Sequence, residues 1–335
     1  MGRAGKLAIV IIIILGLLTA MPLSACGFIS IDMHPGDHSQ TPQPPQESQQ
    51  EPHQDSPSES TAPPVAVIPE VLVPTASGVD VEENGQAIVD FSNKQDGYIM
   101  ARYIEDTDME IRLLIMAPDG VQYQYALHPG QDFEAFPLSA SDGLYEIGVW
   151  KQVEGTRYSM VLSTVIDVVL VDEFAPFLRP NQFVNFNSDS EVVRKAAELT
   201  AGITGFMDRL SAIYHFVINN IVYDVELAET VQLGYVPDVD SVLASGKGIC
   251  FDYSSLITAM LRSQGIPTKL VIGFTADVKH AWISVYSVED GWLDDVIFFD
   301  GHSWELVDPT FAAAGATDLS AYIGDGANYI INTVH

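Results

Sequence analysis

Cysteine is nearly absent from this sequence. The 335 residues include only Cys26 and Cys250, and one pair cannot supply the disulfide framework that staples small secreted domains. The fold must therefore rest on packed hydrophobic cores. With 47% hydrophobic residues, the chain is long enough for two ordinary domains, each with its own core.

Basic residues are also scarce. The chain has 15 Lys and Arg against 45 Asp and Glu, which gives a formal net charge of -30. This charge excludes nucleic acid as a partner, because phosphates would be repelled, and it excludes binding to an anionic membrane by charge alone. We interpret it as the solvated surface of an exported protein.

Several catalytic and cofactor motifs are missing. The sequence has no Gly-x-Ser-x-Gly elbow, no His-Glu-x-x-His helix, no phosphate-binding glycine loop and no calcium loop. The short run Asp238-Val239-Asp240 does not make a calcium site. We therefore expect neither a cofactor nor a metal.

The N-terminus carries an apolar run, Leu7 to Leu18, which follows Arg3 and Lys6. Its length suits the apolar region of a signal peptide and is short for a spanning helix. The run is followed by Leu23-Ser24-Ala25-Cys26-Gly27, which resembles the lipobox of bacterial lipoproteins. The resemblance implies that residues 1–25 are removed and that Cys26 is lipidated, which would anchor the protein at the extracytoplasmic face of a bacterial membrane. An ordinary signal peptide or a short anchor is the alternative.

The next segment has almost nothing to bury. Pro35 to Pro64 contains eight prolines and no Leu, Ile or Val, so burial cannot offset the entropy of ordering it. We expect residues 26–75 to be a disordered tether rich in Pro, Gln and Ser.

Residues 76–172 read as short strands joined by tight turns. Pro118-Asp119-Gly120 and Ser141-Asp142-Gly143 each precede a β-rich run and indicate hairpins. This spacing predicts an all-β sandwich of immunoglobulin-like size. Exposed aromatics such as Tyr123, Tyr125 or Trp150 would suit glycan or peptide, although aromatics on alternating strand positions are more often core.

Residues 173–335 change pattern, with helices first and strands afterwards, which predicts an α+β domain. Ser188 to Glu191 has the spacing of a capping box before a helix, and Gly202 would end that helix. A second helix follows, with one apolar stripe. A third helix begins near Cys250 and ends at Gly265-Ile266-Pro267. The helical stripe consists of Phe206, Leu210, Ile213, Tyr214, Val217 and Ile221.

The candidate chemistry centres on Cys250, a solitary thiol at a helix start. The positive end of the helix and a nearby imidazole would favour its thiolate. His280 shares one strand face with Trp282, Ser284 and Tyr286, while the aliphatic residues between them face the core. The Cys250 N–H would supply one donor to an oxyanion.

Asp308 precedes Pro309 at a predicted strand end, where its carboxylate would orient the imidazole. Three nearby acids, Asp294, Asp295 and Asp300, are alternatives to Asp308. His302 is an alternative to His280.

Residues 240–310 resemble the core of the transglutaminase-like superfamily. The likeness rests on Gly248-Ile249-Cys250 with its helix, Leu261 to Pro267, His280-Ala281-Trp282, and Trp304 to Thr310. It implies a catalytic triad of Cys250, His280 and Asp308 and acyl transfer through a thioester. The superfamily includes crosslinking enzymes, peptidases, amidases and inactive members. The N-terminal β region is not part of this core.

These patterns predict a lipid-anchored, extracytoplasmic cysteine enzyme that acts on amide bonds of proteins or peptides in the cell envelope. Whether water or an amine accepts the acyl group depends on the pocket and stays open. The alternative is a non-catalytic binding lipoprotein, in which the β region recognises a partner and the second domain is an inactive scaffold.

Overall fold

The computed structural model describes residues 66–130, 132–275, 278–294, 297–299, 304–306 and 329–335. The predicted signal peptide, Cys26, most of the tether and Asp308 lie outside these ranges. The described residues belong to one compact unit. Within them, no helix has the length and apolar character needed to cross a membrane.

The first part of this unit is built from two antiparallel sheets of four strands each, in the orders β1-β2-β3-β6 and β5-β4-β7-β8. Its core is formed by inward residues of both sheets, among them Ile99, Leu113, Phe136 and Ile147. The strands are β1 (Val81–Glu83), β2 (Ala87–Asp90), β3 (Tyr98–Tyr103), β4 (Ile111–Met116), β5 (Gln122–Ala126), β6 (Glu134–Pro137), β7 (Gly143–Glu154) and β8 (Arg157–Val168).

The hairpin predicted at Pro118-Asp119-Gly120 joins β4 to β5, with Met116 opposite Gln122. The hairpin predicted at Ser141-Asp142-Gly143 is wrong, because β6 and β7 on either side of it belong to different sheets. The idea of an exposed aromatic surface is wrong for two of its three residues. Tyr123 and Tyr125 are 5% and 2% exposed and belong to the core, because their alternate positions on β5 point inward. Trp150 is half-buried. The comparison of this region with an immunoglobulin sandwich stays a prediction.

The second part begins with a connector and five helices. Helices α1, α2 and α4 pack against α5. Their apolar residues form a second core with α5 and the sheet that follows. The predicted stripe of the second helix is confirmed, since Leu210, Ile213, Tyr214 and Val217 are buried. The helices are α1 (Glu191–Leu199), α2 (Phe206–Asn220), α3 (Val225–Thr230), α4 (Val239–Ser245) and α5 (Cys250–Ser263).

The predicted capping box of α1 is wrong. The N-cap residue is Ser190, and its hydroxyl accepts from the Asn187 N–H instead of from the helix. The Val192 N–H donates to Asp240 of α4 at 2.9 Å, so a distant side chain satisfies this helix end. The helix also ends at Leu199, before Gly202.

The strands after α5 form an antiparallel sheet of order β13-β12-β11-β16, and β14 pairs with β15. Helix α5 packs on β11 and β12, where Leu270, Ile283 and Val285 join its core. Helices first and strands afterwards give the mixed helix and strand content that the sequence predicted. Two short strands before α5, β9 (Val222–Tyr223) and β10 (Lys247–Gly248), pair with each other. The strands after α5 are β11 (Thr268–Thr275), β12 (Val278–Ser287), β13 (Gly291–Leu293), β14 (Ile297–Phe299), β15 (Trp304–Leu306) and β16 (Tyr329–Val334).

The two cores meet along a buried polar seam. His335, which follows β16, has its Nδ1 2.9 Å from the Tyr125 hydroxyl and its ring against Phe183. Arg262 of α5 donates to the carbonyl oxygens of Arg179, Thr268 and His335 at 2.7–2.9 Å. The seam therefore ties the β region to the helix that carries Cys250.

Candidate active site

Cys250 is the first residue of α5, as predicted. Its thiol is free and partly exposed. The preceding residues are fixed by a short parallel pairing of β10 with β9, extended by the bond from the Asp224 N–H to the Gly248 carbonyl at 2.9 Å. The thiol thus sits at the N-terminal end of a 14-residue helix, where the helix dipole is positive.

The first turn of α5 holds a buried acid that the sequence did not single out. Asp252 is fully buried and accepts the Ile249 N–H at 2.8 Å and the Tyr235 hydroxyl at 2.6 Å. Burial raises the pKa of this carboxyl above its ordinary value, although both hydrogen bonds oppose the rise. An acid three residues after a helix N-cap is typical of a capping residue, and this spacing could have indicated Asp252 from the sequence.

Helix α5 carries Cys250 and strand β12 carries His280, and the two elements pack against each other. The Ser254 hydroxyl donates to the Ala281 carbonyl at 2.9 Å, and both residues are buried. Ser254 follows Cys250 by about one helical turn on the same face, and Ala281 is the neighbour of His280. The bond therefore fixes the cysteine end of α5 against the histidine end of β12.

His280 is 7% exposed and lies beside Trp282, with ring centroids 6.1 Å apart and planes at 21°. Tyr329 of β16 packs against the Trp282 ring at 5.0 Å. The residue paired with His280 on β11 is Gly273, where an added Cβ would lie 1.9 Å from the Ile330 carbonyl oxygen. The close approach of these three strands requires glycine at this position.

The third member of the predicted triad, Asp308, lies outside the described residues, as do its alternatives Asp295 and Asp300 and the alternative histidine His302. Asp294 is described, and its Oδ1 accepts from the Ser284 hydroxyl at 2.6 Å. The structure therefore gives Asp294 a partner on β12 four residues beyond His280.

No group of three or more His, Cys, Asp or Glu side chains suited to a metal occurs in the part of the chain that the structure describes. The two acids around Val239 have structural roles instead. Asp238 caps α4 by accepting the Ser241 N–H, and Asp240 accepts the Val192 N–H.

The resemblance to the transglutaminase-like superfamily is confirmed by comparison with known families. Residues 193–294 match the model of that superfamily. The matched range runs from α1 through β13 and includes Cys250 and His280 but not Asp308. At the level of the superfamily, the match supports a cysteine enzyme. No curated protein matches the chain.

Three solved structures are similar to the chain at low identity. A candidate cysteine protease from Cytophaga hutchinsonii is 15% identical with a TM-score of 0.36, over 71% of this chain and 75% of that one. A candidate protease from Parabacteroides distasonis is 13% identical with a TM-score of 0.27, over 63% of this chain and 62% of that one. Red sea bream transglutaminase is 13% identical with a TM-score of 0.27, over 70% of this chain and 50% of that one. Because these TM-scores are low, the proposal that follows rests on none of the three structures.

Proposed function

We propose that this protein is a cysteine acyl-transfer enzyme that acts on amide bonds of proteins or peptides through a thioester on Cys250. The observation that carries the proposal is the partly exposed free thiol at the start of α5, inside a range that matches the transglutaminase-like superfamily. His280 is the proposed base, because the Ser254–Ala281 bond holds its strand against the same end of α5.

The proposed reaction has two steps. The Cys250 sulfur attacks the amide carbon while His280 takes the thiol proton. The tetrahedral oxyanion accepts a hydrogen bond from the Cys250 N–H. The C–N bond then breaks, His280 returns the proton to the leaving amine, and the thioester remains. Water or a second amine attacks the thioester and releases the thiol. Asp308 is the proposed carboxylate that orients the imidazole.

The proposed location is the outer face of a bacterial membrane. It rests on the sequence of residues 1–25, on the lipobox-like Cys26 and on the proline-rich tether. More than one acyl chain on Cys26 would hold the protein stably to a bilayer. The described end of the tether is not wholly free, because Val71 packs against the helical core.

The proposal is tested by incubating the protein with envelope proteins and a tagged primary amine, followed by mass spectrometry. Wild type should incorporate the amine, deamidate glutamine or cleave peptide bonds, and Cys250→Ala should do none of these. His280→Ala should be inactive, whereas His302→Ala should retain activity. If the wild type shows none of these three reactions, the result contradicts the proposal and favours a binding lipoprotein.

A further inference from the structure

The segment between α3 and α4 reaches the turn that carries Cys250. Its residues 232–234 are exposed, and Leu233 is 97% exposed. Tyr235 is half-buried, and its hydroxyl donates to Asp252 at 2.6 Å. The pKa of Tyr235 is raised, first by burial and then by this bond to a carboxylate. The Tyr235 hydroxyl thus binds Asp252, a buried acid two residues after the candidate nucleophile Cys250.

Asp252 holds the residue that precedes Cys250. Its second oxygen accepts the Ile249 N–H at 2.8 Å, while the Ile249 carbonyl accepts the Tyr253 N–H at 3.0 Å. That carbonyl belongs to the same planar peptide as the Cys250 N–H. Because both ends of Ile249 are held, the direction of the Cys250 N–H is held too.

The packing around Asp252 leaves little freedom. A Cβ added at Gly248 would lie 2.5 Å from the Asp252 Cβ, so the chain before Cys250 lies directly against the acid. The N-cap acids of α3 and α4, Asp224 and Asp238, also accept helix N–H groups, and both are more exposed than Asp252. A buried carboxylate is a costly way to cap a helix, and α5 is the helix that carries the thiol.

We infer that Asp252 and Tyr235 are positioning residues for acyl transfer at Cys250, an inference that rests on the proposed function. Asp252 fixes the Ile249 peptide, and Tyr235 fixes the Asp252 carboxylate. Together they aim the Cys250 N–H at the oxyanion of the tetrahedral intermediate. Neither residue exchanges a proton with the substrate.

The first test needs no substrate. In Tyr235→Phe, Asp252 loses its hydrogen bond from the Tyr235 hydroxyl and therefore holds the Ile249 N–H less firmly. The Ile249 amide hydrogen should then exchange about tenfold faster than in wild type. Tyr158→Phe is the matched control, because the Tyr158 hydroxyl donates to Glu110 at the same 2.6 Å in the β region. The control should leave exchange at Ile249 unchanged. Equal protection in wild type and Tyr235→Phe would overturn the inference.

The second test separates positioning from general damage. Alkylation of Cys250 by iodoacetamide forms no oxyanion, so its rate should be the same in wild type and Tyr235→Phe. Acyl transfer should show a kcat about tenfold lower with an unchanged KM. An unchanged kcat, or equal losses in alkylation and acyl transfer, would overturn the inference. An inactive wild type would refute the proposed function instead, and the exchange rates would still decide whether Tyr235 anchors the turn.

Discussion

The buried His335 should make the protein lose stability as the pH falls. Both ring nitrogens have hydroxyl partners at 2.9 Å, the Tyr125 hydroxyl at Nδ1 and the Thr333 hydroxyl at Nε2. Burial, with a smaller contribution from Arg262, lowers the pKa of His335 from its ordinary 6.5 to about 3. The folded protein therefore keeps this imidazole neutral at pH values at which the unfolded chain protonates it.

The sign and size follow from proton linkage. Below pH 6.5 the unfolded state binds a proton that the folded state does not, so stability falls as the pH drops from 6.5 towards 3. At pH 5 the loss attributable to His335 is about 2 kcal/mol relative to neutral pH. Below about pH 3 the folded state also binds the proton, and the loss stops growing.

Urea unfolding at pH 7 and pH 5, followed by tryptophan fluorescence, measures this loss. His335→Gln, which keeps a donor and an acceptor but carries no charge, should lose about 2 kcal/mol less than wild type between the two pH values. His53→Gln is the control, because His53 lies in the predicted proline-rich tether, and it should behave as wild type does. Equal losses in wild type and His335→Gln would refute the reasoning.

Three further predictions concern the candidate site and the anchor. Gly248→Ala should lower the activity at least about tenfold, because its Cβ would displace Asp252, whereas Gly85→Ala, with open space around it, should be fully active in the same assay. Ser254→Ala should lower the free energy of unfolding by about 1–3 kcal/mol, because it leaves the buried Ala281 carbonyl unpaired. Ser255→Ala is the control and should leave the free energy of unfolding unchanged, since the Ser255 hydroxyl has no partner among the described residues. Equal losses in urea titrations would contradict the role of the bond. Cys26→Ser should move the protein from the membrane fraction to the soluble fraction after cell fractionation, and retention in the membrane would refute the lipid anchor.

The start and end of α5 could be predicted from sequence because local signals define both. Cys250 follows a glycine-rich turn, and Gly265 ends the helix with φ +73° before Ile266-Pro267. The stripe of α2 was equally clear, since 3.6-residue periodicity reports burial directly. The alternation on β12 gave the right faces for the same reason, with Ile283 and Val285 in the core.

Contacts across long stretches of sequence were missed. The capping of α1 depends on Asp240, 48 residues away from Val192. No local sequence pattern predicts such a bond. The seam at His335 also joins residues 210 positions apart.

Tyr235 was missed for a related reason. It lies in an irregular segment without periodicity, and its role appears only when its hydroxyl is seen on Asp252. The position of Asp252 at the third residue of α5 could have indicated a capping acid. The identity of its second partner could not be read from the sequence.

The most direct test of Cys250 as an activated nucleophile is its alkylation rate at pH 6, read by peptide mapping so that Cys26 does not interfere. An ordinary cysteine thiol is almost fully protonated at this pH and reacts slowly. We expect Cys250 in the folded protein to react at least about tenfold faster than in urea-unfolded protein, and His280→Ala to abolish the difference. Equal rates in the folded wild type, His280→Ala and the unfolded chain would contradict the account.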